Sequence, residues 1–335
     1  MVNISVIGYG TVGKKFVDIL AARQQKLQEK NGSRFNVTEI YEIDGAVINT
    51  EGIDIAELSK THAIRDNPDW QAGVRAIDHI AEAAGDIVLE VTPTNPDTGE
   101  PALSHILAAL NASKDVVSSN KGPFYLEYAK IMALAQEKGR QVRFSSTVGS
   151  AIPILAAKET LAGCEIVEIQ AILNGTCNFI LSRMTSENEP FDLALKEAQE
   201  LGIAEADPTL DIEGYDAAGK LAILANHLMG FSKSIRDVQV EGITKVTAEA
   251  VELAKNKGLL IKQVGIAADD RLEVGLRLVP QSSPLAISGT LNAFMLKTDV
   301  AGDYFFIGRG AGGAEAGAGL LSDVIRIVKD ACGRL

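Results

Sequence analysis

A chain of 335 residues that is 46% hydrophobic is long enough for two domains with real cores, and its apolar runs are too short to span a bilayer. The formal charge of −12, offset by no local Lys/Arg cluster, argues against nucleic-acid or anionic-membrane partners. Cys164, Cys177 and Cys332 form no CxxC and the four histidines are scattered, so the pattern predicts reduced thiols in a cytoplasmic protein and no histidine metal site. An intermolecular bridge through Cys332, near the C-terminus, stays open at this stage.

The first residues run straight into a strand, and no secretory signal is expected. The apolar run 3–7 ends in Gly8-Tyr9-Gly10-Thr11-Val12-Gly13, after which Val12, Phe16, Ile19 and Leu20 recur at helical spacing. This is strand, glycine turn, helix, the context in which GxGxxG signals a dinucleotide site. Gly8 permits the tight turn, Gly10 lets backbone approach a pyrophosphate, and Gly13 lets helix pack on strand. The phosphates then lie on the helix N-terminus at Thr11 and Val12.

The second strand is expected at 37–43, ending in Glu42-Ile43-Asp44. Acids there accept hydrogen bonds from ribose hydroxyls and repel a 2′-phosphate, and no arginine stands immediately beside them. That tilts the expected cofactor toward NAD over NADP, although an ordinary strand-end turn acid reads the same. Residues 53–58 and 74–83 read as helix or loop. A buried-strand run at 86–91 places Glu90 and Thr92 at its carboxyl end, candidates for the nicotinamide half of a cofactor. A helix at 102–110 and a strand at 115–119 follow. Asn120-Lys121-Gly122-Pro123 closes that strand and aims Lys121 at the cleft. A strand at 141–144 and Thr147-Val148-Gly149-Ser150 lead into a helix expected from about Ile152.

Beyond this point the rhythm changes. Strands at 165–173, 259–266 and 272–279 stand apart, with helices grouped between them. The fold class expected is a Rossmann-type doubly wound parallel sheet plus an α+β domain with a mixed or antiparallel sheet. Asn174-Gly175-Thr176-Cys177-Asn178 makes a turn rich in hydrogen-bonding groups. Pro208 keeps Glu205 and Asp207 on a loop, and from about Gly214 a helix sets Asp216 and Lys220 one turn apart. Two readings of that pair stand: a solvated helix start worth only ~0.3 kcal/mol, or a polar pocket holding a cationic group beside a positioned lysine. The run Gly308–Gly313 before the last helix reads as a hinge or as a second place where backbone closes on a ligand, and the ligand is favoured.

These stretches resemble homoserine dehydrogenase over nearly the whole chain. The likeness rests on the Gly8–Gly13 turn, Val91-Thr92-Pro93-Thr94, Asn120–Pro123, Thr147–Ser150, Asn174–Asn178, Glu205-x-Asp207-Pro208 with Asp216 and Lys220, and Gly310-Ala311-Gly312. The resemblance implies NAD(P)H-dependent interconversion of aspartate 4-semialdehyde and homoserine, on the route from aspartate to threonine and methionine, in a homodimer. It implies a nucleotide domain at 1–148 completed by 308–335, with substrate binding and dimerisation in 149–307. By the same likeness Lys220 is the proton donor and Lys121 a second essential lysine at the cofactor. Glu205, Asp211, Asp216, Gly175 and Thr176 hold the amino-acid end of the substrate, and Gly310 belongs with the cofactor residues.

Three departures stand out. The family often has Glu where this chain has Ser145, and that Glu ligates a monovalent cation; Val148 and Ser150 still offer backbone carbonyls for Na⁺ or K⁺. The final glycine motif reads Glu315-Ala316-Gly317 where Pro/Thr-Ala-Ser is common. The chain ends at Leu335, so no regulatory domain after the core is expected. A sugar-type oxidoreductase of the glucose–fructose class, or a non-catalytic nucleotide sensor, are the rival readings; the first leaves the acid cluster unexplained and the second leaves both lysines unexplained. Replacing a ligating carboxylate by Ser145 removes a full charge from an oxygen-ligand site. Activity is therefore expected to depend little on Na⁺ or K⁺ at matched ionic strength, and saturable activation by either ion would contradict this.

Overall fold

Near-continuous apolar runs dictate the first sheet. A computed structural model describes residues 1–331, so Cys332 lies outside the described residues. The chain divides into two compact units, Met1–Ala151 with Gly312–Leu335, and Ile152–Ala311. In the first, β1 (Val2–Ile7), β2 (Phe35–Glu42), β3 (Gly45–Ile48), β4 (Trp70–Ala72), β5 (Ile87–Glu90), β6 (Asp115–Ser118) and β7 (Val142–Arg143) lie in the order β4-β3-β2-β1-β5-β6-β7. From β2 to β7 all pairings are parallel. Ile4, Val6, Ile87, Val88 and Leu89 are fully or almost fully buried, as strands covered on both faces require. The order reverses between β2 and β5, on either side of β1, which makes the carboxyl end of β1 the topological switch point.

Two strands of this sheet were not legible beforehand. β3 and β4 add antiparallel to its edge, and Gly45 is required there because a Cβ would meet the Trp70 ring and, at 2.6 Å, the carbonyl of Gln71. The loop-or-helix segments contain short helices at Ile55–Thr61 and Ala76–His79. The expected helix from Ile152 is absent: Pro153 interrupts it, and only Ala157–Thr160 is helical.

The last helix, Gly313–Ala331, packs on the helix Thr11–Asn31. Leu320, Leu321, Val324 and Ile327 join Phe16, Val17 and Leu20 in one core. Gly317 permits the approach, since a Cβ would come within 3.0 Å of the Lys15–Phe16 backbone. The Ser145 N–H and hydroxyl both donate to Asp323, at 2.8 and 2.7 Å.

The second unit carries β8 (Ile166–Ile172), β9 (Val238–Val240), β10 (Leu259–Ala268), β11 (Arg271–Pro280), β12 (Leu291–Thr298) and β13 (Asp303–Arg309). They form a mixed sheet in the order β13-β12-β8-β10-β11-β9, antiparallel except where β9 meets β11. Asp269 and Asp270, both at positive φ, turn β10 into β11 as a two-residue hairpin favours. The strands β9, β12 and β13 were not foreseen. Gly308 and Arg309 complete β13, so residues 308–311, expected with the first unit, belong to the second. The helix Tyr215–Met229 lays Ala218, Leu221, Leu224 and Ala225 in the core of this unit. Among the described residues no helix is long and apolar enough to cross a membrane.

Burial raises the Asp323 carboxyl from 3.8 to about 6, although Ser145 donates two hydrogen bonds to it. An acid whose folded value lies above its unfolded one contributes stability that is present below about pH 4 and lost as pH rises through about 6. Relative to Asp323→Asn, the wild type is therefore expected to lose roughly 3 kcal/mol between pH 4 and 7, read from urea melts; parallel pH profiles for the two proteins would contradict this.

Candidate active site

The cofactor half of the site starts from the turn after β1. Gly8 sits at φ +101°, where a Cβ would lie 2.9 Å from the Val91 carbonyl, and a Cβ on Gly13 would collide with the Gly8 carbonyl oxygen. Both positions must be glycine. Gly10 differs: nothing lies within 4 Å of where its Cβ would be. It caps the helix Thr11–Asn31 without any side-chain hydrogen bond, so the first amides of a 21-residue helix are left for an anion. That open space above uncapped amides suits a pyrophosphate, with Thr11 and Val12 on the first turn.

A cleft of about 800 Å³ opens at the same end of the sheet, lined by Gly8, Glu42, Ile43, Ile77, Thr92 and Pro93 among others. Ile43 is 93% exposed, an apolar side chain at the cleft wall whose burial a flat apolar ring would reward. Glu42 lines the cleft. Asp44 does not, and although no arginine adjoins these acids in the sequence, the fold brings one from 21 residues on. Arg65 donates to both Asp44 carboxylate oxygens, from Nε at 2.9 Å and Nη2 at 3.0 Å, and holds that carboxyl below its usual range.

Glu90 is fully buried and is absent from the cleft wall. It accepts from the Thr92 N–H at 3.2 Å, from the Thr92 hydroxyl, and from Ser118. It therefore positions Thr92, which does reach the cleft. Asn120 is the second clamp, donating to the carbonyls of Thr92 (2.9 Å) and Pro93 (3.2 Å) while accepting from the Gly122 N–H. Lys121 follows as the half-buried N-cap of the helix Gly122–Leu126. Val148 and Ser150 are both buried, Ser150 at φ +53°, and the Ser150 carbonyl is packed 2.5 Å from where a Cβ on Gly319 would sit. No cluster of three or more His, Cys, Asp or Glu among the described residues is placed to hold a metal ion.

In the second unit the acidic stretch folds inward. Lys220 Nζ lies 2.7 Å from Asp216 Oδ2, with side chains only 10% and 13% exposed, and it donates to the Leu173 carbonyl at 2.8 Å. A wet surface pair is excluded. The remaining ammonium hydrogen has no partner among the described residues. Asn174 joins the group, its Nδ2 donating to Asp211 Oδ1 at 2.6 Å and Asp216 Oδ2 at 2.9 Å, while its Oδ1 caps the helix Gly175–Glu187 by accepting from the Cys177 N–H. Cys177 is a buried free thiol raised by that burial. Its Sγ donates to the Asp211 carbonyl. Gly175 is needed because a Cβ would meet the Thr290 carbonyl at 2.7 Å, and the Thr176 hydroxyl donates to the Ile203 carbonyl.

Glu205 is exposed and does not join the buried cluster; Asp207 is spent capping Thr209. Gly310, at the end of β13, is explained locally, since a Cβ would collide with Asn292. The hub that sequence reasoning missed is Asn174. The available signal was an Asn in N-cap position before Gly-Thr, which marks a cap and says nothing of the two distant carboxylates.

Comparison with known proteins matches residues 8–145 to the family described as "Homoserine dehydrogenase, NAD binding domain" and residues 153–325 to "Homoserine dehydrogenase". A homoserine dehydrogenase from Methanocaldococcus jannaschii is 45% identical over 330 residues, covering 97% of this chain and 98% of that protein. An NAD(+)-dependent homoserine dehydrogenase from Pseudomonas canavaninivorans is 35% identical over 98% of this chain and 97% of its own length. The structure of a hyperthermophilic archaeal homoserine dehydrogenase in complex with NADPH matches with a TM-score of 0.85 at 28% identity, covering 98% of each chain.

The hub gives a test independent of turnover. Asp is as good an N-cap as Asn, yet at position 174 it would bring a third carboxylate against Asp211 and Asp216. Asn174→Asp is expected to be less stable than Asn174→Ala at pH 7, by about 1 kcal/mol or more. The added acid has a raised folded value, so the gap should close as pH falls toward 4. Equal urea midpoints at pH 7 would contradict the hub.

Proposed function

The chain belongs to the homoserine dehydrogenase family, and from that membership we propose that it reduces L-aspartate 4-semialdehyde reversibly to L-homoserine. It is an NAD(P)-dependent oxidoreductase acting on a CH–OH group. The observation that carries the substrate assignment is the part-buried Asp211–Asn174–Asp216–Lys220 group, which offers carboxylates to an ammonium and an ammonium to a developing alkoxide. The place on the route from aspartate to threonine and methionine, and a cytoplasmic location, belong to the same proposal.

Gly8, Gly10, Thr11, Val12 and Gly13 hold the dinucleotide phosphates, and Thr92, clamped by Glu90 and Asn120, bounds the nicotinamide half. Gly310, after β13, is assigned to the cofactor on the family likeness alone. The bound cofactor supplies or accepts the hydride. Asp211 and Asp216 take the substrate ammonium, with Glu205 on the exposed loop screening its approach, and the turn Gly175-Thr176 offers backbone to the amino-acid end. Lys220 gives its unused hydrogen to the carbonyl oxygen as charge grows there, becoming the proton donor of the alcohol. Asp216 and the Leu173 carbonyl hold that ammonium in place, so donation costs no search over rotamers. Lys121 is the second cation of the reaction, at the cofactor end. Phe305 and Ile307, exposed along the edge strand β13, support assembly as a homodimer.

Oxidation of NAD(P)H on addition of aspartate semialdehyde tests the assignment directly, and a folded chain that binds dinucleotide without turnover would be a sensor instead. Lys220→Ala is expected to lower kcat by roughly 10²–10⁴-fold, about 3–5 kcal/mol, with dinucleotide affinity nearly unchanged. A folded Lys220→Ala protein within threefold of wild-type kcat would remove Lys220 as proton donor.

A further inference from the structure

The end of β2 presents two acids in two different states. Glu42 lines the cleft, and its carboxylate has no hydrogen bond or ion pair among the described residues. Asp44, two residues on, is absent from the wall, and both its oxygens are taken by Arg65. The guanidinium is itself held, its carbon 5.9 Å from the centre of the Trp70 ring. Arg65 does not line the cleft either, but through Asp44 it is held two residues along the chain from Glu42, which does. Arg75, which lines the cleft, is occupied differently, 3.2 Å from Asp78.

The two nicotinamide dinucleotides differ by one group at the adenosine ribose. A 2′-hydroxyl donates to a carboxylate; a 2′-phosphate is repelled by one and is bound best by a guanidinium offering two parallel N–H groups. Arg65 has the required fork, and Asp44 occupies it with the same two-pronged geometry a phosphate would use. The pair is half exposed, 59% and 50%, so it contributes little to stability and leaves its geometry to be explained by something else.

We infer that the Asp44–Arg65 pair sets cofactor choice: Glu42 accepts the ribose hydroxyls, and Asp44 withholds Arg65 from a 2′-phosphate, making NAD the preferred dinucleotide. This rests on the proposed binding of NAD(P) in the cleft, with its Glu42 end taking the adenosine ribose. Asp44→Asn removes one negative charge and releases the fork in the same step. Arg65→Gln does the reverse, baring Asp44 against a phosphate. In the double variant neither the withheld cation nor the acid remains.

The test is calorimetric titration of the full-length protein with NAD⁺ and with NADP⁺, read as the ratio of the two Kd values. Asp44→Asn is expected to shift that ratio toward NADP⁺ by tenfold or more, about 1.4 kcal/mol. Arg65→Gln should shift it the other way, and Asp44→Asn/Arg65→Gln should lie within threefold of wild type. An unmoved ratio in Asp44→Asn overturns the inference. So does a double variant that keeps the full gain, which would credit the lost charge or Arg75 rather than Arg65. A wild type that binds NADP⁺ tenfold tighter than NAD⁺ also overturns it. If the wild type binds NAD⁺ and the ratios fail, only this inference falls; if it binds neither dinucleotide, the assignment of the cleft falls with it.

Discussion

A buried ammonium against a buried carboxylate, Lys220 with Asp216, is the interaction on which the second unit's chemistry depends. Taking both charges out of water costs several kcal/mol each, and such a pair is weak evidence for stability. What the burial supplies is position. Asp216 and the Leu173 carbonyl fix the ammonium from two sides, and Asn174 fixes Asp216 while tying it to Asp211. One amide, with two N–H groups in a rigid plane, is the right shape to hold two carboxylates near each other without neutralising either. The pair and its hub join one end of β8, the cap of the helix Gly175–Glu187 and the first turn of the helix Tyr215–Met229 into a single arrangement.

The first unit solves a different problem, leaving backbone amides unsatisfied where an anion should sit. It does so by subtraction. Gly8 and Gly13 allow strand, turn and helix to close on one another, and Gly10 leaves the space above them open. The last helix then packs on the glycine-turn helix through Gly317 and is pinned to the chain at Ser145 by the buried Asp323. Ser145 and Asp323 satisfy each other, joining this segment to a helix residue 178 positions away in the chain.

Much of this was legible in local pattern. The continuous apolar runs marked β1, β5 and β6, the GxGxxG spacing marked the switch point, and the i,i+4 spacing of Asp216 and Lys220 marked one helical face. What local pattern misread has physical causes. The expected helix at Ile152 lost to Pro153. The short strands β3, β4 and β9 carry too few residues to show a period, and pairing decides them. Asn174 read only as part of a turn rich in hydrogen-bonding groups, and its task as a hub involves residues 37 and 42 positions away.

By itself, then, the chain's order of residues determined the longer apolar strands, the glycine turn and the amphipathic helices, because those depend on sterics and periodicity within a few residues. It also determined which charges exist. Only the tertiary structure decided which of those charges are spent and which are left for a ligand. Asp44 and Glu42 read alike in the sequence, yet one is bound by Arg65 and the other faces the cleft. Asp207 and Asp211 read alike, yet one caps Thr209 on the surface and the other, partly buried, is held by Asn174. Electrostatic interactions act through distance and burial, and neither is a property of neighbours in the chain.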